Sequence, residues 1–403
     1  MKNKNNILLF AAFFVLYELT TYLSNDMIMP AMVDVVKQFK APLSNIASSL
    51  SLYIIGGSLL QIFLGPIADH IGKRKVLIAG NLLFLLATAV IPFSSSIHQF
   101  LAARLFQGMG MCFIFIGYAM VHELFNDVEA IKLTSLLSNI AIFAPLLGPV
   151  LGSGITAVSS WEWIFVVSGI LGVTSLCGLI KYMPPGKLAA EKADLYQILH
   201  SYRKIFTHKT FMSGILIFSL MNLPLLAWVG LSPVIILDKM HQSFAIYITY
   251  QAIVFSGFIL SSILIQKIAG KFSAYTLITR GVGIACLGLT VSLILRPYPK
   301  LFMLGMFIYS FGFGLYCGTI VRLALMSTGE STSLSSSAMS LLFSLCLSSG
   351  LELYNLICDY FGYSLLTYSL INFVLALVSL RFSWTFAKQN KDRQWNSQTI
   401  QVH

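Results

Sequence analysis

The sequence predicts an all-α membrane protein of twelve transmembrane helices in two halves of six. Three observations carry that prediction. Of the 403 residues 57% are hydrophobic and only 10% charged, whereas a soluble domain carries roughly 25% charged residues. Apolar stretches of about 20 residues recur along the whole chain, each long enough to cross ~30 Å of hydrocarbon as a helix. The longest hydrophilic stretch, PPGKLAAEKADLYQILHSYRKIFTHK, falls near the middle, from Pro184 to Lys209. A membrane barrel would instead alternate apolar and polar residues in ~10-residue segments.

Taken in order, the apolar segments lie at about 7–33, 45–66, 75–95, 98–122, 131–156, 162–183, 210–236, 244–267, 275–295, 300–325, 333–358 and 361–386. The amino-terminal MKNKNN and the apolar run after it are laid out like a secretory signal. That run meets Glu18 and continues as a polar-faced helix without an AxA-like cleavage site, so it reads as a retained first span. Residues 1–183 form the amino-terminal half and 210–387 the carboxyl half. The Pro-Pro-Gly opening and mixed charges of 184–209 mark a solvated cytoplasmic linker with room for a short surface helix. Residues 388–403 read as a disordered cytoplasmic tail. Equal halves suggest a duplicated parallel repeat, as in many secondary transporters; IADHI at 67–71 and IAGKF at 268–272 echo it faintly.

Charge sets the orientation. With both termini cytoplasmic, five of the 26 Lys and Arg (Lys37, Lys40, Lys239, Arg296, Lys300) fall in external loops and Arg104 within a span, leaving twenty on the cytoplasmic side. That asymmetry follows the positive-inside rule and would be violated by the reverse topology. The net charge of +11 is therefore an insertion signal, scattered over short loops, and no nucleic-acid partner is expected. The six cysteines form no CxxC pair and sit in or beside apolar segments, where they read as small hydrophobes. None of the seven histidines is mid-span, so neither a metal site nor a membrane-embedded hydrolase is expected.

Against this background the stretch YELTTYLSNDMIMP, 17–30, stands out, because it places Glu18 and Asp26 inside the first span. A carboxylate in a bilayer is expensive and usually lines a polar path or site. Glu18 lies 11 residues after Ile7, or ~17 Å along a helix and so close to mid-membrane. At 100° per residue Glu18, Thr21, Tyr22, Asn25 and Asp26 fall within about 140° of arc, one polar stripe facing away from lipid. The stripe reads either as a structural pair satisfied within the bundle or as a coupling site. Burial disfavours the charged form of any carboxyl group. A proton and a cationic substrate would then compete for one negative site, the minimum machinery of antiport. Each elementary charge moved is worth ~2.3 kcal/mol per 100 mV. Arg104, in the fourth span, falls at a depth similar to that of Asp26. It either snorkels to the outer interface or holds Asp26, or alternately Asp26 and Glu18, by charge-assisted hydrogen bonds. Glu352, in SSGLELYNL, is ambiguous between a functional and a structural role, and Arg322 reads as snorkelling.

Three motifs give a family resemblance. GPIADHIGKRK, 65–75, resembles motif A of the major facilitator superfamily, with Asp69, Gly72 and Arg74 in place. ARLFQG, 103–108, resembles motif B, and APLLGPVLG, 144–152, resembles motif C of the proton-driven antiporters. The opening YELTTYLSNDMIMP and NLPLLAWVGLSP at 222–233 are similar to the MdfA type of multidrug/proton antiporter. Lys73 and Lys75 depart from motif A, where arginine and proline are frequent.

The resemblance implies that Glu18 and Asp26 sense protons and substrate with Arg104 beside them. It places Tyr22 and Asn25 on the cavity wall, and Leu225 and Leu226 among apolar contacts from the other half. The residues of the motifs themselves suggest either a conformational latch at Asp69, Gly72 and Arg74 or a topology-setting basic loop. Pro145, Gly148, Pro149 and Gly152 kink the fifth span and let a neighbour approach, for rocking or for static packing. The expected protein is not an enzyme. It is a monomeric, proton-gradient-driven exporter of lipophilic cationic and neutral compounds in a bacterial inner membrane, without a cofactor. The alternative is a dedicated transporter of one endogenous metabolite on the same fold.

Overall fold

The computed structural model describes residues 4–185, 195–268 and 271–389. The expected tail at 388–403 therefore lies almost wholly outside the described residues, as does the first part of the linker. Among the described residues the chain is helical throughout, with no strand.

Helix α1 (Lys4–Ile28) passes through a 3-10 turn at Met29–Ala31, where Pro30 cannot donate to the ladder, into α2 (Met32–Gln38). Then follow α3 (Asn45–Leu59), α4 (Gln61–Ile71), α5 (Lys73–Val90) and α6 (Ile97–Met109). A 3-10 stretch at Gly110–Phe113 joins α6 to α7 (Ile114–Leu124), so the expected fourth span is a helix interrupted at its glycines. Next come α8 (Asp127–Thr156), α9 (Glu162–Tyr182), α10 (Leu195–Thr207) and α11 (Lys209–Ser232). A π-helical segment at Pro233–Lys239 extends α11. The chain ends with α12 (Phe244–Ile268), α13 (Ala274–Leu295), α14 (Pro299–Leu325), α15 (Thr332–Phe361) and α16 (Leu365–Gln389). Among the described residues eleven segments are long and apolar enough to span a membrane. The 30-residue α8, apolar over Phe143–Thr156, stands where the fifth span was expected.

Two compact units form. One is built on residues up to His200 together with Val229–Asp238, the other on Ser201–Trp228 and residues from Lys239 onward. In the first, Phe10, Phe14 and Tyr17 on successive turns of α1 are buried with Leu77, Phe84, Cys112 and Phe113. The Tyr17 hydroxyl donates to the Gly110 carbonyl at 2.6 Å, within the 3-10 break. Helix α5 shows how the sequence sorts its faces. Leu77, Asn81, Phe84 and Thr88 are buried, while Leu82, Leu86 and Val90, one helical stripe, are exposed. An exposed leucine–valine stripe is a lipid-facing surface. Side-chain caps start several helices. Ser96, Asn126, Ser273 and Ser331 each accept from the backbone N–H three residues on, which satisfies one of the amides a helix start leaves free.

The linker's α10 is amphipathic: Tyr202 and Ile205 are buried while Leu199, Arg203 and Lys204 face outward. Lys204 pairs with Glu330 at 3.4 Å. His208 Nδ1 accepts from the Phe211 amide at 3.4 Å and lies 3.2 Å from the Ser327 hydroxyl.

Between α4 and α5 the chain reverses on Gly72, at φ +100° and ψ 130°. L-residues strongly disfavour that region, so Gly72→Ala is expected to cost about 1–3 kcal/mol. A lowered melting temperature of the purified protein, with that of Gly65→Ala unchanged or slightly raised, checks it. The space around both positions is open, so backbone conformation alone separates them.

Candidate functional site

The polar stripe of α1 is present and inward. Glu18 is 1% and Asp26 5% exposed, Thr21 and Ser24 are buried, and Tyr22 and Asn25 are half-buried. Two turns, about 12 Å of rise, separate the acids along the helix, with Tyr22 between them.

Arg104 on α6 is 0% exposed, so it does not snorkel. Nor does it hold the acids directly. Among the described residues no ion pair within 4 Å joins Arg104 to Asp26 or Glu18. Each of its three nitrogens donates elsewhere. Nη2 donates to Asn25 Oδ1 at 2.7 Å, Nη1 to Gln107 Oε1 at 2.6 Å and Nε to Ser49 Oγ at 3.2 Å. The guanidinium also lies over the Tyr53 ring, 4.4 Å from its centroid. Asn25 completes the link by donating Nδ2 to Asp26 Oδ1 at 3.1 Å. The correction has a simple cause. Asn25 precedes Asp26 by one residue and has both an acceptor and donors, so its amide fits between the two charges.

The network extends further. Gln107 Nε2 donates to Ser24 Oγ at 2.8 Å and Thr88 Oγ1 at 2.9 Å, tying α6 to α1 and α5. The Tyr53 hydroxyl donates to the Thr21 carbonyl at 2.7 Å. At the other acid, Tyr118 Oη on α7 donates to Glu18 Oε1 at 2.9 Å. Glu18 Oε2 is buried with no hydrogen-bond partner. Such an oxygen is costly to maintain unless another species, a proton or a cation, satisfies it.

Helix α8 packs on the same stretch of α1. A Cβ at Gly148 would collide with Asp26 Cβ, and one at Gly152 with the Met27 carbonyl. Pro145 is half-buried and Pro149 buried, both inside α8. Of the glycines of the third motif, Gly148 thus packs on Asp26 and Gly152 on the residue after it. Leu225 and Leu226 belong to the other unit, where Leu225 is 9% exposed and Leu226 half-buried.

The first motif ties helix ends together. Lys73 pairs with Glu123 at the end of α7, and the Arg74 guanidinium donates to the Ile180 carbonyl near the end of α9. The Asp69 side chain, part of the expected latch, lies outside the described residues. Glu352 is half-buried on α15.

Gln107, Ser49, Tyr53, Thr88 and Tyr118 escaped the sequence reading. Gln107 had a usable signal, since three residues separate it from Arg104 and put both on one helix face. Serine, threonine and tyrosine in apolar spans are too common to single out.

Helices of membrane-spanning length around a buried, charged polar network mark a polytopic membrane protein, and its relatives point to a transporter, not an enzyme. The match to the Major Facilitator Superfamily model runs over residues 14–351, and the chain belongs to that superfamily. It is 36% identical over 352 residues to the multidrug transporter MdfA of Yersinia pestis (bv. Antiqua, strain Angola) and of Escherichia coli O6:H1, 86% of each chain. It is 35% identical over 326 residues to the multidrug resistance protein MdtM of Salmonella typhimurium, 79% of each. In fold it is similar to an inward-facing bacterial homologue of the lysosomal transporter Spinster, with TM-score 0.76 at 12% identity over 98% of this chain and 100% of that one. It is also similar to a D-xylose–proton symporter, with TM-score 0.72 at 16% identity over 93% of this chain and 98% of that one.

Proposed function

We propose that the protein is a proton-coupled antiporter that exports lipophilic cations and neutral drugs across a bacterial inner membrane by alternating access. The observation that carries this reading is the buried, unpartnered Glu18 Oε2 on the same helix face as Asp26. The relatives named as multidrug transporters supply the substrate class.

A carboxylate removed from water is stabilised by a proton or by a cation, and not by both at once. Glu18 offers one oxygen fixed by Tyr118 and one without a partner. Asp26 answers to Arg104 through Asn25, so a change of charge at Asp26 reorders an amide that also holds the guanidinium. Substrate and proton entering from opposite sides exchange at this pair, and the membrane potential acts on the net charge moved. Both termini are cytoplasmic on this reading, in line with the positive-inside count, and the working unit is a monomer. The energy comes from the proton gradient, without a cofactor.

The test is drug-triggered proton release in inverted vesicles carrying the wild type, Glu18→Gln or Asp26→Asn. A lipophilic cation is expected to dissipate an imposed pH gradient in the wild type alone. A gradient left untouched by several such cations, with folded wild-type protein present, sinks multidrug antiport.

A further inference from the structure

In the second unit α11 is gripped where its own hydrogen-bond ladder is weakest. Pro224 lies inside the helix, so the Leu220 carbonyl lacks its usual donor four residues on. Two tyrosine hydroxyls from other helices reach this turn. Tyr309 Oη of α14 donates to the Met221 carbonyl at 2.5 Å, and Tyr368 Oη of α16 donates to the Pro224 carbonyl at 2.6 Å. Both side chains are 0% exposed.

Tyr368 is itself held. Tyr354 Oη donates to its main-chain carbonyl at 2.7 Å, and its ring packs edge-on to Trp228 at 5.7 Å and to Phe302 at 6.1 Å. Trp228, one turn beyond Pro224, also packs on Phe302 at 6.0 Å. Residues 225 and 226 therefore sit between two gripped carbonyls, at 221 and 224, and a clamped indole at 228. A helix with a missing ladder bond would otherwise bend here.

We infer that Tyr309 and Tyr368 are positioning residues for substrate recognition: their hydroxyls fix the turn of α11 that presents Leu225 and Leu226. The inference rests on the proposed function, together with the apolar substrate contacts that the family resemblance implies for those leucines. A hydroxyl on a helical carbonyl adds nothing to the ladder count of the helix. Its effect is directional, because it sets the tilt of the turn relative to α14 and α16. Buried phenols that satisfy themselves on main-chain carbonyls also keep polar groups off the wall.

The experiment titrates tetraphenylphosphonium onto the purified full-length protein in lipid nanodiscs, with melting temperatures recorded in parallel. Tyr309→Phe and Tyr368→Phe keep the rings and remove only the hydroxyls. Each is expected to weaken binding about fivefold, the equivalent of one net hydrogen bond. In a Leu225→Ala, Leu226→Ala background the same changes are expected to have less than about a twofold effect, because coupled residues are not additive. A purely structural tyrosine would not show that loss of effect. Tyr363→Phe, whose hydroxyl donates to Asn355 at 2.9 Å, serves as a control expected to leave binding unchanged. The two tyrosines are tested separately, so one poorly folding variant leaves the other to decide.

Equal weakening in both backgrounds overturns the positioning role while the antiporter reading stands. Wild-type affinity in the double alanine chain removes the leucines from the wall, and the inference with them. The proton-release result for Glu18 and Asp26 is independent of both.

Discussion

Arg104→Lys is expected to abolish drug-driven proton exchange while leaving a folded protein, and Arg104→Met is expected to fold poorly or not at all. Three acceptors converge on the guanidinium, from α1 (Asn25), α3 (Ser49) and α6 itself (Gln107), and an aromatic face covers it. A planar fork meets that geometry; a lysine ammonium is a compact point charge on a thinner stem. Lysine keeps the positive charge and can satisfy one or two of the acceptors, so part of the stability survives. What it loses is the simultaneous hold on Asn25 and Gln107, and with it the orientation of the amide that donates to Asp26. Methionine strands all three acceptors. At about 1–3 kcal/mol for each buried unsatisfied group, that is a large share of the ~5–15 kcal/mol stability typical of a protein domain. Melting curves and proton release on the same preparations separate the two effects. Wild-type exchange by Arg104→Lys would mean that charge alone suffices and that the fork geometry is incidental.

The sequence made the spans legible because the bilayer leaves little choice. A run of about 20 apolar residues satisfies its backbone internally as a helix, and the acids and arginine that break such runs are conspicuous. Glu18, Asp26 and Arg104 were visible for that reason. Their partners were not. The choice of Asn25 as intermediary, of Gln107 as second anchor and of Tyr118 for Glu18 depends on which helix faces meet, information that only packing supplies. The interruption at Gly110–Phe113 and the π-helical Pro233–Lys239 were hidden likewise, since hydropathy does not distinguish one helical hydrogen-bond register from another. The linker's surface helix was legible from its mixed composition. That the second unit claims α10 only from Ser201, while Val229–Asp238 joins the first, was not: chain order is a poor guide to packing for a segment anchored by contacts such as Lys37–Asp238 at 3.3 Å.

Gly152→Ala carries the other large expected effect, and it separates close packing from mere helix propensity. On propensity alone alanine should stabilise a helix by ~1 kcal/mol over glycine. At Gly152 the added methyl would strike the Met27 carbonyl, and at Gly148 it would strike Asp26 itself. Main chain cannot swing aside as a long side chain can, so α1 and α8 must separate. Overpacking of this kind costs about 1–3 kcal/mol and moves Asp26 relative to Asn25 and Arg104. Gly154 lies in the same helix, where an added methyl would meet nothing within 4 Å, which makes Gly154→Ala the matched control. The expected result is a lower melting temperature and loss of drug-triggered proton release for Gly152→Ala, a milder loss for Gly148→Ala, and an unchanged or slightly raised melting temperature for Gly154→Ala. Identical behaviour of Gly152→Ala and Gly154→Ala would show that the helix pair yields without cost. Asp26 would then be held in place by its hydrogen bonds alone, and the close approach of α8 would have no part in setting the acid's position.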